Sequence, residues 1–148
     1  MIPEFDRLGN LPLGIHDATI LEIEIRFGGR GQRRRVFEDL VVWLGHMKAA
    51  GCRTVYVNGS FVTAKEFPND FDACFDPTGV DRAKLDPVLL ERSDAAIDLI
   101  RARYGGDIRV DREMPPGSIS PYLRFFMRDG RARVEKGIVR LDLSKEAP

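Results

Sequence analysis

The sequence predicts an α/β (α+β) domain in which a small mixed sheet of three to five strands has its helices packed on one side. Apolar residues recur at helical spacing over 33–50 and 93–104, and short β-branched or aromatic runs bounded by turn residues stand around these segments. With 148 residues and 43% hydrophobic content, the chain has the size of one domain with one core. We therefore expect a single domain over residues 1–148.

We expect residues 1–16 to form an extended N-terminal arm, because they contain two prolines and two glycines and show no helix or strand periodicity. The next stretch, ATILEIEIRFG, alternates apolar and polar residues and predicts a strand, although a short helix capped by Asp17 is an alternative. A helix over 33–50 follows, and Gly51 stands where a helix C-terminal cap is preferred.

The rest of the chain alternates strands with one more helix. We expect strands at TVYV (54–57), FDACF (71–75), DIRVDRE (107–113) and GIVRLDL (137–143), and a helix over 93–104 that Gly105 and Gly106 end. The segment 123–127 predicts a strand of a hairpin that turns at Asp129-Gly130, unless a short helix starts at Ser120-Pro121.

Composition narrows the classes of function. The 23 basic residues balance 23 acidic ones, which argues against binding of extended nucleic acid through its phosphates. No apolar run approaches the ~18 residues of a membrane span, and the N-terminus lacks the features of a signal peptide. We therefore expect a cytoplasmic protein. Cys52 and Cys74 lie among apolar neighbours without metal-binding spacing, so we expect reduced core residues.

The segment GSFVTAKEFPNDFD, residues 59–72, carries the chemistry. Gly59 and Ser60 follow a predicted strand, and such a turn lets a phosphate approach the backbone N–H groups. Asp70 and Asp72 are two residues apart, so in an extended chain their side chains leave the same face. Paired carboxylates beside a phosphate-binding turn suit Mg²⁺ with a nucleoside triphosphate. The alternative is an ordinary turn followed by aspartates that cap it or face water.

This segment resembles the signature of the polymerase-beta-like nucleotidyltransferase superfamily, in which a Gly-Ser turn is followed at this spacing by an Asp-x-Asp strand. The similarity covers residues 54–76 and 123–143. The family often has a second glycine in the turn, where this chain has Ala64. The chain also looks similar over its whole length to a small class of bacterial proteins with an IPEFD N-terminal arm. The resemblance implies a nucleotidyltransferase-like fold and Mg²⁺ as cofactor.

The superfamily also uses a third carboxylate on a later strand. Arg140-Leu141-Asp142 resembles the Arg-x-Asp of that strand, and Arg140 and Asp142 share a strand face. We therefore predict that the strand of Asp142 lies beside the strand of Asp72, with Asp142 binding the metal or accepting a proton. Asp111 is the rival, in a shorter and more peripheral strand.

The function that the resemblance implies is Mg²⁺-dependent transfer of a nucleoside monophosphate from a nucleoside triphosphate to a hydroxyl group. The chain lacks the length for a template-holding domain, so the expected acceptor is a protein or a small molecule. The implied catalytic and metal residues are Asp70, Asp72 and Asp142, and the expected nucleotide-binding residues include Gly59, Ser60 and Arg140. Lys65 lies in the turn after Gly-Ser, where it either reaches a β- or γ-phosphate or is a flexible surface lysine.

A second function remains open at this stage. The chain would then be a non-catalytic binding or regulatory module with a nucleotidyltransferase-like fold, for example the antitoxin of a toxin–antitoxin pair. The basic run Arg33-Arg34-Arg35 at the start of a helix, where the dipole disfavours cations, either contacts a phosphate or acidic partner or is solvated.

Overall fold

The computed structural model describes residues 1–91, 93–110, 128–129 and 134–146. Its strands are β1 (Ile15–Asp17), β2 (Thr54–Asn58), β3 (Phe71–Phe75), β4 (Gly106–Val110), β5 (Arg128–Asp129), β6 (Val134–Glu135) and β7 (Ile138–Asp142). Its α-helices are α1 (Ile20–Ile23), α2 (Gln32–Ala49) and α3 (Asp94–Tyr104). A π-helical turn, Glu24–Gly28, continues α1, and short 3₁₀ turns lie at Ser60–Val62, Pro87–Leu90 and Leu143–Lys145.

Five strands form one mixed sheet in the order β1-β7-β2-β3-β4. Strand β2 is antiparallel to both of its neighbours, β3 and β7, whereas β1 is parallel to β7 and β4 is parallel to β3. Strands β5 and β6 pair with each other in a separate antiparallel ribbon. The predicted fold class is confirmed.

The core lies between the sheet and the helices. Helix α2 buries the residues that recur every three to four positions, from Val36 to Met47, and its Trp43 ring lies 5.9 Å from that of Phe71 in β3. Val55 and Val57 of β2 are also fully buried. The alternate residues of the central strands are mostly polar and project from the opposite face, which we call the open face.

Both predicted helices are confirmed, and local sequence explains their ends. Ser93 caps α3, because its side-chain oxygen accepts a hydrogen bond from the Ala96 N–H at 3.1 Å. Gly105 ends the helix with a φ of 79°, a left-handed conformation that glycine adopts without strain. Gly51 follows α2 with a φ of 87°.

The strand predicted for residues 18–28 is wrong, and the capped helix considered as its alternative has a different cap. Thr19, rather than Asp17, caps α1: its hydroxyl accepts from the Glu22 N–H at 3.1 Å, while the Glu22 carboxylate accepts from the Thr19 N–H at 3.2 Å. This reciprocal pair satisfies two N–H groups of the first turn. The cap therefore overrides the alternating pattern, and Leu21 and Ile25 remain exposed.

The N-terminal arm is anchored more firmly than an extended segment laid over the domain. Its last residues form β1, so the arm ends as an edge strand of the sheet. The Gly137 N–H donates to Leu11 O at 2.9 Å, and the Ile138 N–H donates to Gly14 O at 3.0 Å. Leu11 is buried in the core.

Several sequence predictions fall on residues that the structure does not describe. Asp111, the element predicted at 123–127 and its alternative start at Ser120-Pro121 lie outside the described residues. Cys52 and Cys74 are buried and form no disulfide. Among the described residues, no helix combines the length and apolar character needed to cross a bilayer.

Gly137→Ala should loosen the arm. A Cβ at this position would lie 2.0 Å from Pro12 O and 2.8 Å from His16 Nε2, so backbone must move to admit it. We expect a loss of about 1–3 kcal/mol in the free energy of unfolding, together with faster hydrogen exchange over residues 11–17. Gly45→Ala is the control, because the exposed helix position has no atom within 4 Å, and it should stabilise by about 1 kcal/mol. Unchanged stability and exchange in Gly137→Ala would contradict this role for the arm.

Candidate functional site

Three polar side chains form a row at one end of the open face. Asn58, the last residue of β2, lies opposite Asp72 of β3, and Asp72 lies opposite Asp107 of β4. Residues directly opposite each other on neighbouring strands project from the same face. The row therefore stands where β2 passes into the Gly59-Ser60 turn.

Asp72 lies directly against this turn. A Cβ built on Gly59 would be 2.3 Å from Asp72 Oδ2, and Gly59 has a φ of 80°. Both the close approach and the left-handed backbone require glycine at this position. Ser60 then begins the 3₁₀ turn, whose first N–H groups have no partner within the turn. The structure thus brings Gly59, Ser60 and Asp72 together.

The electrostatic field at the row disfavours ionised carboxyl groups. Burial, followed by the charges of Asp70 and Asp107, raises the pKa of Asp72 to about 7, against weaker opposing effects of Lys136 and Arg101. Burial also raises the pKa of Asp70, and the charge of Asp107 adds to this, while Arg101 and Lys65 act in the opposite direction. The charge of Asp107 therefore acts on both Asp70 and Asp72, and the charge of Asp70 acts on Asp72.

Asp107 was not identified from the sequence. Arg109 holds it, with Nε donating to Oδ1 at 2.8 Å and NH2 donating to Oδ2 at 3.4 Å, and Arg101 NH2 lies 3.7 Å from Oδ2. The sequence predicts the strand that carries Asp107, but the candidate carboxylate named on that strand is Asp111. The available signal was a carboxylate immediately after a helix ended by Gly105, since a parallel crossover returns the chain beside the preceding strand.

The donor set suits magnesium bound together with a phosphate. In the part of the chain that the structure describes, no group of three or more His, Cys, Asp or Glu residues is arranged to hold an ion by itself. Magnesium, however, is usually bound by one or two carboxylates plus substrate phosphates. Asp72 offers carboxylate oxygens beside the turn, Asp70 acts on it electrostatically, and a cation there would offset the burial and the repulsion that raise their pKa values. Asp107 becomes available only if Arg109 releases it.

The predicted placement of Asp142 is wrong. Strand β7 lies beside β2 rather than β3, and Asp142 lies opposite Thr54, at the far end of β2 from Asn58. Four residues along a strand and two strand spacings separate Asp142 from Asp72, which amounts to roughly 16 Å between their Cα atoms. The place beside β3 is taken by β4, which reaches it through α3.

The side chains of Arg140 and Asp142 have separate partners. Asp142 accepts from the Ser144 N–H at 3.0 Å and the Ser144 hydroxyl at 2.5 Å, and the hydroxyl is the main cause that lowers the pKa of Asp142. Arg140 donates to both oxygens of Asp17, at 2.6 and 3.0 Å. Both residues line a cavity of about 530 Å³ whose lining does not include Gly59, Ser60 or Asp72.

The basic run at the start of α2 supports the turn internally. Arg33 donates to the carbonyl oxygens of Phe27 at 3.1 Å, Phe61 at 2.9 Å and Thr63 at 2.7 Å, and also to Lys65 O. Burial lowers the pKa of Arg33.

The first two arginines of the run bind groups within the chain. Arg33 is engaged by carbonyl oxygens within the chain, and Arg34 pairs with Glu24 at 2.7 Å at the surface, with 43% of its side chain exposed. Lys65 is exposed, and its charge lowers the pKa of Asp70, which fits a position close to the carboxylates.

The chain belongs to the protein family described as Family of unknown function (DUF6932), whose model matches residues 3–142. No curated protein and no solved structure matches the chain significantly. The matched range includes the whole row of Asn58, Asp72 and Asp107, so the geometry of that row is the basis for a functional proposal.

Gly59→Ala should clash with the Asp72 carboxylate and strain the backbone. We expect a loss of about 1–3 kcal/mol in the free energy of unfolding from denaturant titration. In an Asp72→Ala background the carboxylate is gone, so the same substitution should cost less, and the double-mutant cycle should give a coupling of at least ~0.5 kcal/mol. Additive effects would show that Asp72 does not lie against Gly59 in solution.

The raised pKa of Asp72 predicts that the metal-free protein loses stability as the pH rises. Between the unfolded value near 3.8 and the folded value of about 7, the folded state binds more protons than the unfolded state. The free energy of unfolding should therefore fall across this window and level off above pH 7. The total decrease should be smaller than the pKa difference alone implies, because Asp72 is only half-buried and solvent screens its charge.

Asp72→Asn should flatten this profile in urea titrations at pH 5 to 8 with EDTA. Asp142→Asn is the control, since the lowered pKa of Asp142 affects stability only at more acidic pH. Parallel profiles for the wild type and Asp72→Asn would contradict the burial and repulsion inferred for Asp72.

Proposed function

We propose that the protein is a magnesium-dependent nucleotidyltransferase, which transfers a nucleoside monophosphate from a nucleoside triphosphate to a hydroxyl group of a protein or small molecule. The observation that carries this proposal is the Asp72 carboxylate lying against Gly59 while the charges of Asp70 and Asp107 oppose its ionisation. A half-buried carboxylate with a raised pKa and like-charged neighbours is typical of functional sites, and a bound cation would relieve the repulsion.

Each residue of the site has a role in this proposal. Asp70 and Asp72 hold the metal, and the backbone of Gly59 and the hydroxyl of Ser60 receive the triphosphate. Lys65, exposed beside Asp70, adds positive charge where the outer phosphates would lie. Magnesium, when bound, would neutralise phosphate charge and make the α-phosphorus more electrophilic.

Asp107, the remaining carboxylate, is the general base of the proposed reaction. The acceptor oxygen forms a bond to the α-phosphorus, the bond from that phosphorus to the bridging oxygen breaks, and pyrophosphate leaves. Asp107 accepts the proton of the acceptor hydroxyl after Arg109 has released it. Asp142 takes no part, because Ser144 holds it at the other end of β2, and Arg140 takes no part, because it pairs with Asp17.

The chemistry also favours particular surroundings. A cytoplasmic location is part of the proposal, because nucleoside triphosphates and magnesium are supplied there. The balanced charge of the chain favours a protein or small-molecule acceptor over extended nucleic acid.

One observation favours the second candidate, a non-catalytic binding module such as an antitoxin. Arg109 binds both oxygens of Asp107, and such a pair is stable without any metal. In that case Arg109 stays in place and the open face binds a protein partner instead of a nucleotide.

A labelling experiment distinguishes the catalytic proposal from the non-catalytic one. The purified protein is incubated with Mg²⁺ and each α-labelled nucleoside triphosphate, with and without cell lysate. The wild type should transfer label to protein or to a small molecule, and EDTA should prevent this. Asp70→Asn and Asp72→Asn should abolish transfer, and Asp107→Asn should lower it by about 10²–10⁴-fold, as expected for loss of a general base.

Asp142→Asn is the matched control and should retain activity, since this carboxylate lies at the far end of β2. If no triphosphate gives any label under these conditions, or if Asp72→Asn transfers label as well as the wild type, the catalytic proposal fails.

A further inference from the structure

Asn58 is a buried polar residue whose side chain makes no hydrogen bond to the described residues. Its side chain is 0% exposed, and in the part of the chain that the structure describes neither Nδ2 nor Oδ1 has a hydrogen-bond partner. Buried side-chain amides are normally hydrogen-bonded, because removing them from water without compensation is unfavourable. An amide kept in this state at a strand end therefore points to a partner that arrives later.

The position of Asn58 indicates which acceptor its side-chain amide can bind. Asn58 immediately precedes Gly59 and lies opposite Asp72, on the same face of the sheet. On the other side, Ile138 lies one residue beyond the Val57–Val139 pair and is a buried apolar residue. Among the described residues of the neighbouring strands, the Asp72 carboxylate is thus the acceptor directly opposite Asn58 that its amide N–H can serve.

The two groups are within reach of each other. Directly opposite residues of an antiparallel pair have Cβ atoms about 4.5–5.5 Å apart, a distance that a rotation of both side chains converts into a hydrogen bond. In the present arrangement Asp72 Oδ2 is turned toward Gly59, where a triphosphate would have to approach. A ligand on the turn therefore requires the carboxylate to shift, and the unpaired amide lies on the adjacent strand.

We propose that Asn58 is a positioning residue for Asp72: when magnesium and a nucleoside triphosphate occupy the Gly59-Ser60 turn, its Nδ2 donates to one Asp72 oxygen and directs the other toward the ligand. This inference rests on the proposed function of the same site. A hydrogen bond to a charged acceptor is stronger than one between neutral groups, so the amide contributes mainly to the loaded site.

Asn58→Leu tests this directly, because leucine keeps the branched shape and removes both polar atoms. In the absence of ligand its unfolding midpoint should equal or exceed that of the wild type, since an unpaired buried amide has been removed. Its affinity for MgATP, MgGTP, MgCTP or MgUTP, whichever the wild type binds, should fall about 10- to 100-fold in titration calorimetry, as expected for loss of a hydrogen bond to a charged group.

A second readout separates positioning from a purely structural role. The same titration in EDTA should give equal affinities for the wild type and Asn58→Leu, because the proposed contact acts only on the metal-dependent arrangement. Asn58→Ala, which cannot overpack, should show the same metal-dependent loss and keeps the test available if leucine disrupts folding.

Trp43→Phe is the matched control. Trp43 Nε1 is also buried without a partner in the described part of the chain, but it lies in the helix layer against Phe71. Its removal should leave triphosphate affinity unchanged. Affinity of Asn58→Leu within about twofold of the wild type overturns the role of Asn58 alone, whereas a wild type that binds no triphosphate with magnesium overturns the proposed function itself.

Discussion

The register of β2 between β3 and β7 is the constraint on which the site depends. Because β2 is antiparallel to both neighbours, its two ends serve different parts of the open face: Asn58 meets Asp72 at one end, and Thr54 meets Asp142 at the other. A shift by one residue would move every side chain of the strand to the opposite face and bury its polar ones in the core. The hydrophobic alternation of Val55 and Val57 thus determines which residues of β2 stand beside Asp72 and Asp142.

The contact between Gly59 and Asp72 places a carboxylate at the turn that follows β2. A carboxylate placed against a turn, half-buried and beside two others, weakens the metal-free protein above neutral pH, because burial and repulsion oppose its charge. Groups with such local costs cluster at functional sites, where a ligand can offset them. The ordinary ion pair at the other end of the sheet, Arg140 with Asp17, shows the contrast, since there the partner lowers the pKa of the carboxylate.

Most of the fold was predictable because it is encoded locally. The apolar spacing of α2, the Ser93 cap of α3 and the alternation of β3 and β7 each act within a few residues. Residues 18–28 failed because alternation and a capping box made competing predictions, and the Thr19–Glu22 pair prevails. The turn and the Asp70-Asp72 pair were predictable for the same local reason. Asp107 was harder to predict, because strand order is a property of the whole sheet and the signal for Asp107 is only its place directly after the helix that Gly105 ends.

The supports of the Gly59-Ser60 turn decide how a ligand would be received. Arg33 holds three carbonyl oxygens of the segment from Phe61 to Lys65, and the Ala64 N–H donates to Gly9 O of the arm at 2.8 Å. These contacts lie outside the row of Asn58, Asp72 and Asp107, so they hold the backbone whether or not a ligand is bound. Binding would then need only side-chain movements, the release of Asp107 by Arg109 and the turning of Asp72 toward Asn58. A backbone fixed in advance loses little entropy on binding, which is the condition under which a small domain can place a phosphate accurately.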